Sequence, residues 1–183
     1  HTPSPRRRKP SMSVTSAQTV VDLPCDGHKI AVIGERINPT GKKRFQQALR
    51  EEDMNYVLEQ AVSQVEAGAQ VLDVNVGAPG VDEPALMPKV VKALQSVTSL
   101  PLQLDSSNVQ ALENGLRVYN GKPIVNSADA GSRISNIDLA AANDAIVIAL
   151  CSADGIAKDN DERMHHCHTM LDRGMALGME AED

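Results

Sequence analysis

Short apolar runs that break into polar groups, separated by helix-like stretches, constrain this chain more than any other feature. The first spans residues 30–41, Ile-Ala-Val-Ile-Gly-Glu-Arg-Ile-Asn-Pro-Thr-Gly. Its apolar part is β-branched and too short for a helix, so it reads as a buried strand beginning at Ile30. Gly34, Pro39 and Gly41 force irregular backbone, which places Glu35, Arg36 and Asn38 where a buried strand surfaces. The pattern recurs. Val71-Leu72-Asp73-Val74-Asn75-Val76-Gly77 carries a carboxylate and an amide near its end. Leu100-Pro101-Leu102-Gln103-Leu104-Asp105-Ser106-Ser107 ends in a carboxylate and two hydroxyls, and Pro123-Ile124-Val125-Asn126-Ser127 in an amide and a hydroxyl. A buried polar group costs free energy unless it is partnered, so a purely structural sheet has no need of such endings. Four in succession point to one shared polar site at strand ends, where α/β proteins bind ligands.

Between these runs the hydrophobic period is helical. Asp53 is placed to cap a helix over residues 53–68, with Leu58, Ala61, Val62 and Val65 on one stripe. Asp82 is placed to cap the next, with Pro84 in its first turn, Pro88 awkwardly early, and Val90, Val91 and Leu94 facing inward. Ser107 and Gln110 have capping-box spacing ahead of a helix with Val109, Leu112 and Leu116 on one face, which Asn120-Gly121 ends. A short helix over 134–142 precedes a strand over 145–150, and a last helix covers about 161–177 with Asp159 and Glu162 at its start. Residues 14–21, rich in Val and Thr, read as a strand joined through a turn at Asp26-Gly27 to the strand at Ile30, a hairpin closing one end of the fold. Alternating β and α means a parallel sheet covered by helices. An open doubly wound sheet and a (β/α)8 barrel both fit. Length favours the open sheet, since a barrel takes about 250 residues. The polar strand ends favour the barrel, whose strands all point their C-terminal ends at one site. Nothing matches Gly-x-Gly-x-x-Gly or a P-loop, so a nucleotide site gains no support.

Composition narrows the class. The 183 residues, 42% of them hydrophobic, are enough for one domain with a core, and 2% aromatics make that core aliphatic. A net charge of −6 argues against nucleic acid as a partner. No apolar run approaches the roughly 20 residues of a membrane span, and no signal peptide is visible. Cys25, Cys151 and Cys167 are scattered and read as reduced thiols, so a cytoplasmic protein without membrane contact is expected. Pro3, Pro5, Pro10 and the cluster Arg6-Arg7-Arg8-Lys9 read as solvated linker cut from a longer protein. Residues 1–29 are then linker and first strand, and residues 30–183 the domain. Met164-His165-His166-Cys167-His168 resembles a ligand set, but on a helix only His165 with His168, or Met164 with Cys167 and His168, share a side. A closed zinc site wants three or four converging ligands. The expectation is no metal, and a buried stripe of Met164, Cys167 and Leu171.

The ordered motifs resemble those of a known family. Gly34-Glu35-Arg36-Ile37-Asn38-Pro39-Thr40-Gly41, Gln64-Val65-Glu66-Ala67-Gly68-Ala69, Leu72-Asp73-Val74-Asn75-Val76-Gly77, Leu104-Asp105-Ser106-Ser107 and Val125-Asn126-Ser127 together resemble the pterin-binding family. Within it the chain is most similar to the methyltetrahydrofolate domain of cobalamin-dependent methionine synthase and to the related methyltetrahydrofolate:corrinoid methyltransferases. The likeness runs from about Ile30 to the C-terminus. It implies a (β/α)8 TIM barrel, here truncated to about five βα units, because Glu180-Ala181-Glu182-Asp183 falls near where the family's sixth strand would begin. The family carries a further pterin-binding Asp on that strand and an Asn on a later one, so the isolated chain is expected to lack full activity. Ala128-Asp129-Ala130-Gly131-Ser132-Arg133 departs from the family's usual loop into its fourth helix. The Pro- and Arg-rich start resembles the linker that follows a homocysteine-binding domain.

The resemblance also assigns roles. A pterin presents an amino group, ring N–H groups and a carbonyl, which a carboxylate and amides can read. Asp105 matches a pterin-binding Asp, and Asp73, Asn75, Asn38, Glu35 and Ser127 match polar positions of the same substrate pocket. In the implied reaction cobalt(I) of cobalamin, carried by a corrinoid-binding partner domain, attacks the methyl on N5 of 5-methyltetrahydrofolate. The nitrogen leaving group gains negative character, and an amide there stabilises the transition state without titrating. Asn126 matches the family's Asn at N5 and is the expected catalytic residue. Glu35 and Arg36 fit either an ion pair at the barrel mouth or ligand contact. A dihydropteroate synthase-like enzyme, which makes a C–N bond at the same kind of pterin site, is the alternative. A non-catalytic pterin-binding or corrinoid-docking fragment is a third reading.

Overall fold

The computed structural model describes residues 12–23 and 30–183. The basic cluster at 6–9, Cys25 and the Asp26-Gly27 turn lie outside them. Two strands, β1 (Met12–Thr15) and β2 (Val20–Leu23), pair antiparallel with Val14 opposite Val21. The stretch expected as one strand over 14–21 is thus itself a hairpin. Its turn is made by Ser16, whose Oγ accepts from the N–H groups of Gln18 (3.1 Å) and Thr19 (3.0 Å), a local bond that competes with continued strand.

The main sheet comprises β3 (Ile33–Ile37), β4 (Val71–Val74), β5 (Leu102–Asp105), β6 (Ile124–Asp129) and β7 (Ile146–Leu150), all parallel. Its spatial order is β3-β4-β5-β6-β7, the chain order. A doubly wound sheet reverses direction at a switch point, whereas here each crossover steps the same way, as in a barrel. Right-handed crossovers then place every helix on one face. The architecture is that of the (β/α)8 barrel family, represented by five βα units.

The helices are α1 (Lys43–Arg50), α2 (Met54–Glu66), α3 (Glu83–Val97), α4 (Val109–Leu116), α5 (Ser135–Ala142) and α6 (Asn160–Ala176). Asp53, Asp82 and Asp159 cap α2, α3 and α6 by accepting from the N–H groups of Tyr56, Ala85 and Glu162. Pro88 sits inside α3 and cannot donate to the carbonyl of Pro84; Asn114 Nδ2 on α4 does so instead, at 2.8 Å. Several expectations need correction. α1 was not anticipated; its eight residues contain three basic groups and only Phe45, Ala48 and Leu49 as a buried stripe. α2 turns Val57, Ala61 and Gln64 inward and leaves Val62 and Val65 exposed. α4 is capped by Asn108, whose Oδ1 accepts from Gln110 and Ala111, rather than by Ser107, and Val109 lies outside the buried face of Ala111, Leu112, Gly115 and Leu116. α6 buries Met170 and Gly174, with Cys167 and Leu171 half-buried and Met164 exposed.

The two sheet faces do different work. Toward the helices, Leu72, Val74, Leu102, Leu104 and Val125 pack with Val57, Met87, Val91, Leu94 and Leu112 in an aliphatic core. On the other face, Val71, Ile124 and Ile146, at or near the N-terminal ends of their strands, pack against Val14 and Val21, so the hairpin plugs that end. The plug is pinned. Tyr119 Oη donates to the Thr15 carbonyl (2.6 Å), Lys122 N donates to Thr15 Oγ1 (2.8 Å), and Gly121 passes so close that a Cβ there would sit 2.3 Å from the Thr15 oxygen. Burial pushes the Tyr119 phenol up to about 12, so it stays a donor. With one end plugged by apolar residues, polar chemistry is left to the other end.

Candidate functional site

Because successive strand residues alternate faces, Asp73 and Asn75, Gln103 and Asp105, and Ile124 and Asn126 fall on the face away from the helices. Glu35 joins them from β3. Gly34, Glu35 and Arg36 form the middle of that strand rather than a break after it, and the β3–β4 register shifts between Gly34 and Ile37. The strand continues because α2 supplies an acceptor: Gln64 Oε1 takes the Arg36 N–H at 2.8 Å. A Cβ at position 34 would lie 2.5 Å from that same oxygen, which is why glycine stands there.

The site has two layers. In the deeper one, Asp73 Oδ1 accepts from Gln103 Nε2 and, at 3.5 Å, from Asn126 Nδ2. In the outer one, Asn75 Nδ2 donates to Asp105 Oδ2 at 2.9 Å, and Asn75 Oδ1 accepts from the Gly77 N–H at 2.8 Å. Asn38 Nδ2 donates to Glu35 Oε1 at 3.4 Å while its Oδ1 accepts from Thr40 N. The structure therefore brings Glu35, Asn38, Asp73, Asn75, Asp105 and Asn126 together at the C-terminal ends of the strands. Ser127 is adjacent but differently engaged: it is buried, its Oγ accepts from Arg133 Nη1 at 3.2 Å and its carbonyl from Asn136 Nδ2 at 2.8 Å. The Asn126–Ser127 peptide is cis. Among the described residues no ion pair joins Glu35 to Arg36; Lys42 Nζ instead donates to both their carbonyls, at 3.2 and 3.4 Å.

Gln103 was missed as a site residue, although it stands two positions before Asp105 and must share its face. Its Oε1 is buried and has no hydrogen-bond partner among the described residues. Ser106, by contrast, is structural: its Oγ donates to Glu83 at 2.7 Å and accepts from the Asn108 N–H.

The electrostatics follow from putting carboxylates in a half-dry cleft. Burial pushes Asp73 up to about 6, and the nearby Asp105 and Glu35 charges add to this against the hydrogen bonds from Gln103 and Asn126. Burial likewise raises Asp105, with Glu35 and Glu83 adding and the Asn75 bond and Arg133 opposing. Asp73 is thus poised to hold or release a proton near neutral pH. Carboxylates beside amides suit a ligand rich in N–H donors that also carries an acceptor. Among the described residues no group of three or more His, Cys, Asp or Glu is arranged to hold a metal ion. An apolar cavity of about 400 Å³ lies deeper, between the hairpin, Ile124, Ile146, Ile148 and α6, and among the described residues Gln103 is where it meets the polar cluster.

The profile of the pterin binding enzyme family matches residues 34–178, well over half of the chain. The chain belongs to the pterin-binding enzyme family. Its fold is similar to that of 7,8-dihydropteroate synthase from Vibrio fischeri ES114, with a TM-score of 0.64 and 16% identity over 93% of this chain and 64% of that one. It is equally similar to a Yersinia pestis DHPS solved with a pterine-sulfa conjugate, with a TM-score of 0.64 and 18% identity over 93% and 62%. Dihydropteroate synthase from Xanthomonas albilineans gives 0.60 and 16% over 94% and 63%. This chain spans less than two thirds of the length of each of these structures. At such identities the likeness is one of fold. Among the described residues no helix is long and apolar enough to cross a membrane.

Proposed function

We propose that residues 30–183 supply the pterin pocket of an enzyme acting on a folate or its pterin precursor, with residues 1–29 as lead-in. The convergence of Asp73, Asn75, Asp105 and Asn126 on one face, in a chain of the pterin-binding family, carries the reading. Asp105, held in place by Asn75, accepts from the pterin's amino and ring N–H groups. Gln103 Oε1, without a partner among the described residues, offers a further acceptor deeper in the cleft.

Two reactions are in play. In the first, the enzyme moves the N5-methyl of 5-methyltetrahydrofolate to cob(I)alamin held by a partner domain, as in methionine synthesis. The Gly34-Glu35-Arg36-Ile37-Asn38 motif and the placement of Asn126 favour it. The Asn126 amide, bonded to Asp73 only at 3.5 Å, is free to turn its N–H toward a nitrogen that gains negative character. In the second, the enzyme is dihydropteroate synthase-like and forms a C–N bond at the pterin. The fold comparisons favour this one, since the structural relatives above all carry that name. The full-length protein should be assayed for both: loss of the cob(I)alamin spectrum with 5-methyltetrahydrofolate, and formation of dihydropteroate. Methyl transfer alone supports the first, dihydropteroate alone the second, and neither activity with saturable pterin binding leaves a binding module.

A further inference from the structure

The loop leaving β6 is built around a group that the pterin ring does not require. Asp129 is a carboxylate only 3% exposed. Its Oδ1 accepts from the N–H groups of Gly131 (3.0 Å) and Arg133 (2.9 Å), and its Oδ2 from Arg133 Nε at 2.8 Å. Arg133 Nη1 donates to Ser127 Oγ at 3.2 Å. The Ala130 N–H donates to the Ser152 carbonyl at 2.8 Å, bracing this loop against the one that follows β7.

A buried carboxylate needs a cation, and that alone would account for an arginine. It does not account for where the guanidinium ends up. Nε and Nη1 are committed, so the group is fixed in plane, beside the residue that follows Asn126. Nη2 has no hydrogen-bond partner among the described residues, and the side chain is 33% exposed. Glu35, Asp73 and Asp105 surround the pterin position with carboxylates, which turn away any anion. Lys42, on the β3 side, has its ammonium occupied by two backbone carbonyls. Arg133 is the cation whose charge reaches Asp105, so an anionic substituent on a bound pterin has a favourable exit past Asn126 and Ser127 to Arg133. In keeping with this position, burial raises Asp105 and the Arg133 charge is felt there in opposition.

We propose that Arg133 is the specificity residue for an anionic group carried by the pterin, a carboxylate or a phosphate, taken through the free Nη2 edge of its guanidinium. The planar fork of arginine matches both groups. Asp129 and Ser127 hold it ready, which lowers the ordering cost of binding. The proposal rests on the pterin reading above and adds the charge of the substrate to it.

The test compares ligands that share a ring and differ in charge. Pterin-6-carboxylate, 6-hydroxymethylpterin and the phosphate ester of the latter are titrated into the full-length protein and into Arg133→Gln and Arg133→Lys by pterin fluorescence. Arg133→Gln should weaken one or both anionic ligands by about 10- to 100-fold, the loss of a charge-assisted hydrogen bond, and leave the neutral alcohol within about twofold. Arg133→Lys should recover part of the anion affinity and make it more salt-sensitive. Which anion suffers more tells carboxylate from phosphate. Asp129 keeps its two backbone donors in both variants, and circular dichroism checks that the fold is retained. Equal weakening of neutral and anionic ligands would make Arg133 a loop brace and overturn the proposal, as would no change for any ligand. If the unsubstituted protein fails to bind even the neutral pterin, the pterin reading falls and this inference with it.

Discussion

Asp73→Asn should make the protein more stable at neutral pH while impairing its site. Burial raises the Asp73 carboxyl from its ordinary 3.8 to about 6, so the folded protein resists its ionisation. Between about pH 4 and 6 the folded state binds more protons than the unfolded one, and stability falls as pH rises through that window. A shift of roughly two units at 1.36 kcal/mol each makes ionised Asp73 unfavourable by about 3 kcal/mol at pH 7. The amide removes that penalty. It also brings an N–H beside Gln103, whose Oε1 is buried without a partner among the described residues. The hydrogen bonds that Gln103 and Asn126 give the carboxylate are already counted in that shift. The expected gain is therefore about 3 kcal/mol at pH 7.5, read from urea unfolding of the two proteins side by side. At pH 4 the folded wild type already holds the proton, and the gap should nearly close. A variant less stable than wild type at pH 7.5, or a difference independent of pH, would refute the reasoning.

On the methyl-transfer reading proposed above, Asn126→Ala should lower that transfer by roughly 100-fold, about 3 kcal/mol, with a much smaller effect on folate affinity, because a hydrogen bond from Asn126 to N5 would strengthen only as N5 gains negative character; equal losses in single-turnover rate and in binding would contradict that role. Asn114→Ala should destabilise the fold by about 1–3 kcal/mol in denaturant melts, since the Pro84 carbonyl freed by Pro88 then has no donor. The 183-residue chain should self-associate with rising concentration in light scattering, because β3 and β7 are sheet edges flanked by the exposed Ile30, Val32 and Leu150. A concentration-independent monomer would count against this.

Much of this architecture was legible in the sequence. The alternation of strand and helix, the Asp caps of α2, α3 and α6, and the polar strand ends all follow from local chemistry that tertiary packing did not override. The choice between open sheet and barrel was not settled by that logic, because strand order is a property of long-range pairing; length favoured the open sheet, the polar strand ends favoured the barrel, and the resemblance decided between them. The β3 boundary was misplaced because Gly34-Glu35-Arg36 has the composition of a loop, and what keeps it in the sheet is Gln64, 28 residues beyond Arg36, accepting from the Arg36 backbone. The stripes of α2 and α6 were misjudged because period alone does not say which of two apolar faces meets the sheet. Gln103 was readable from the same two-residue alternation that exposed Asp105. Ser127 was placed in the pocket by the resemblance, but its hydroxyl accepts from Arg133 across a loop no periodicity describes.

The central claim is that the strand ends bearing Asp73, Asn75, Asp105 and Asn126 form a pterin site, and a fluorescence titration of the full-length protein with 6-hydroxymethylpterin tests it most directly. The account predicts saturable one-to-one binding that Asp105→Ala weakens by about 10-fold or more, the cost of removing a charged acceptor of the ring's N–H groups, while the α2 surface substitution Val62→Ala leaves it unchanged. Absence of saturable binding, or binding that survives Asp105→Ala undiminished, would contradict it.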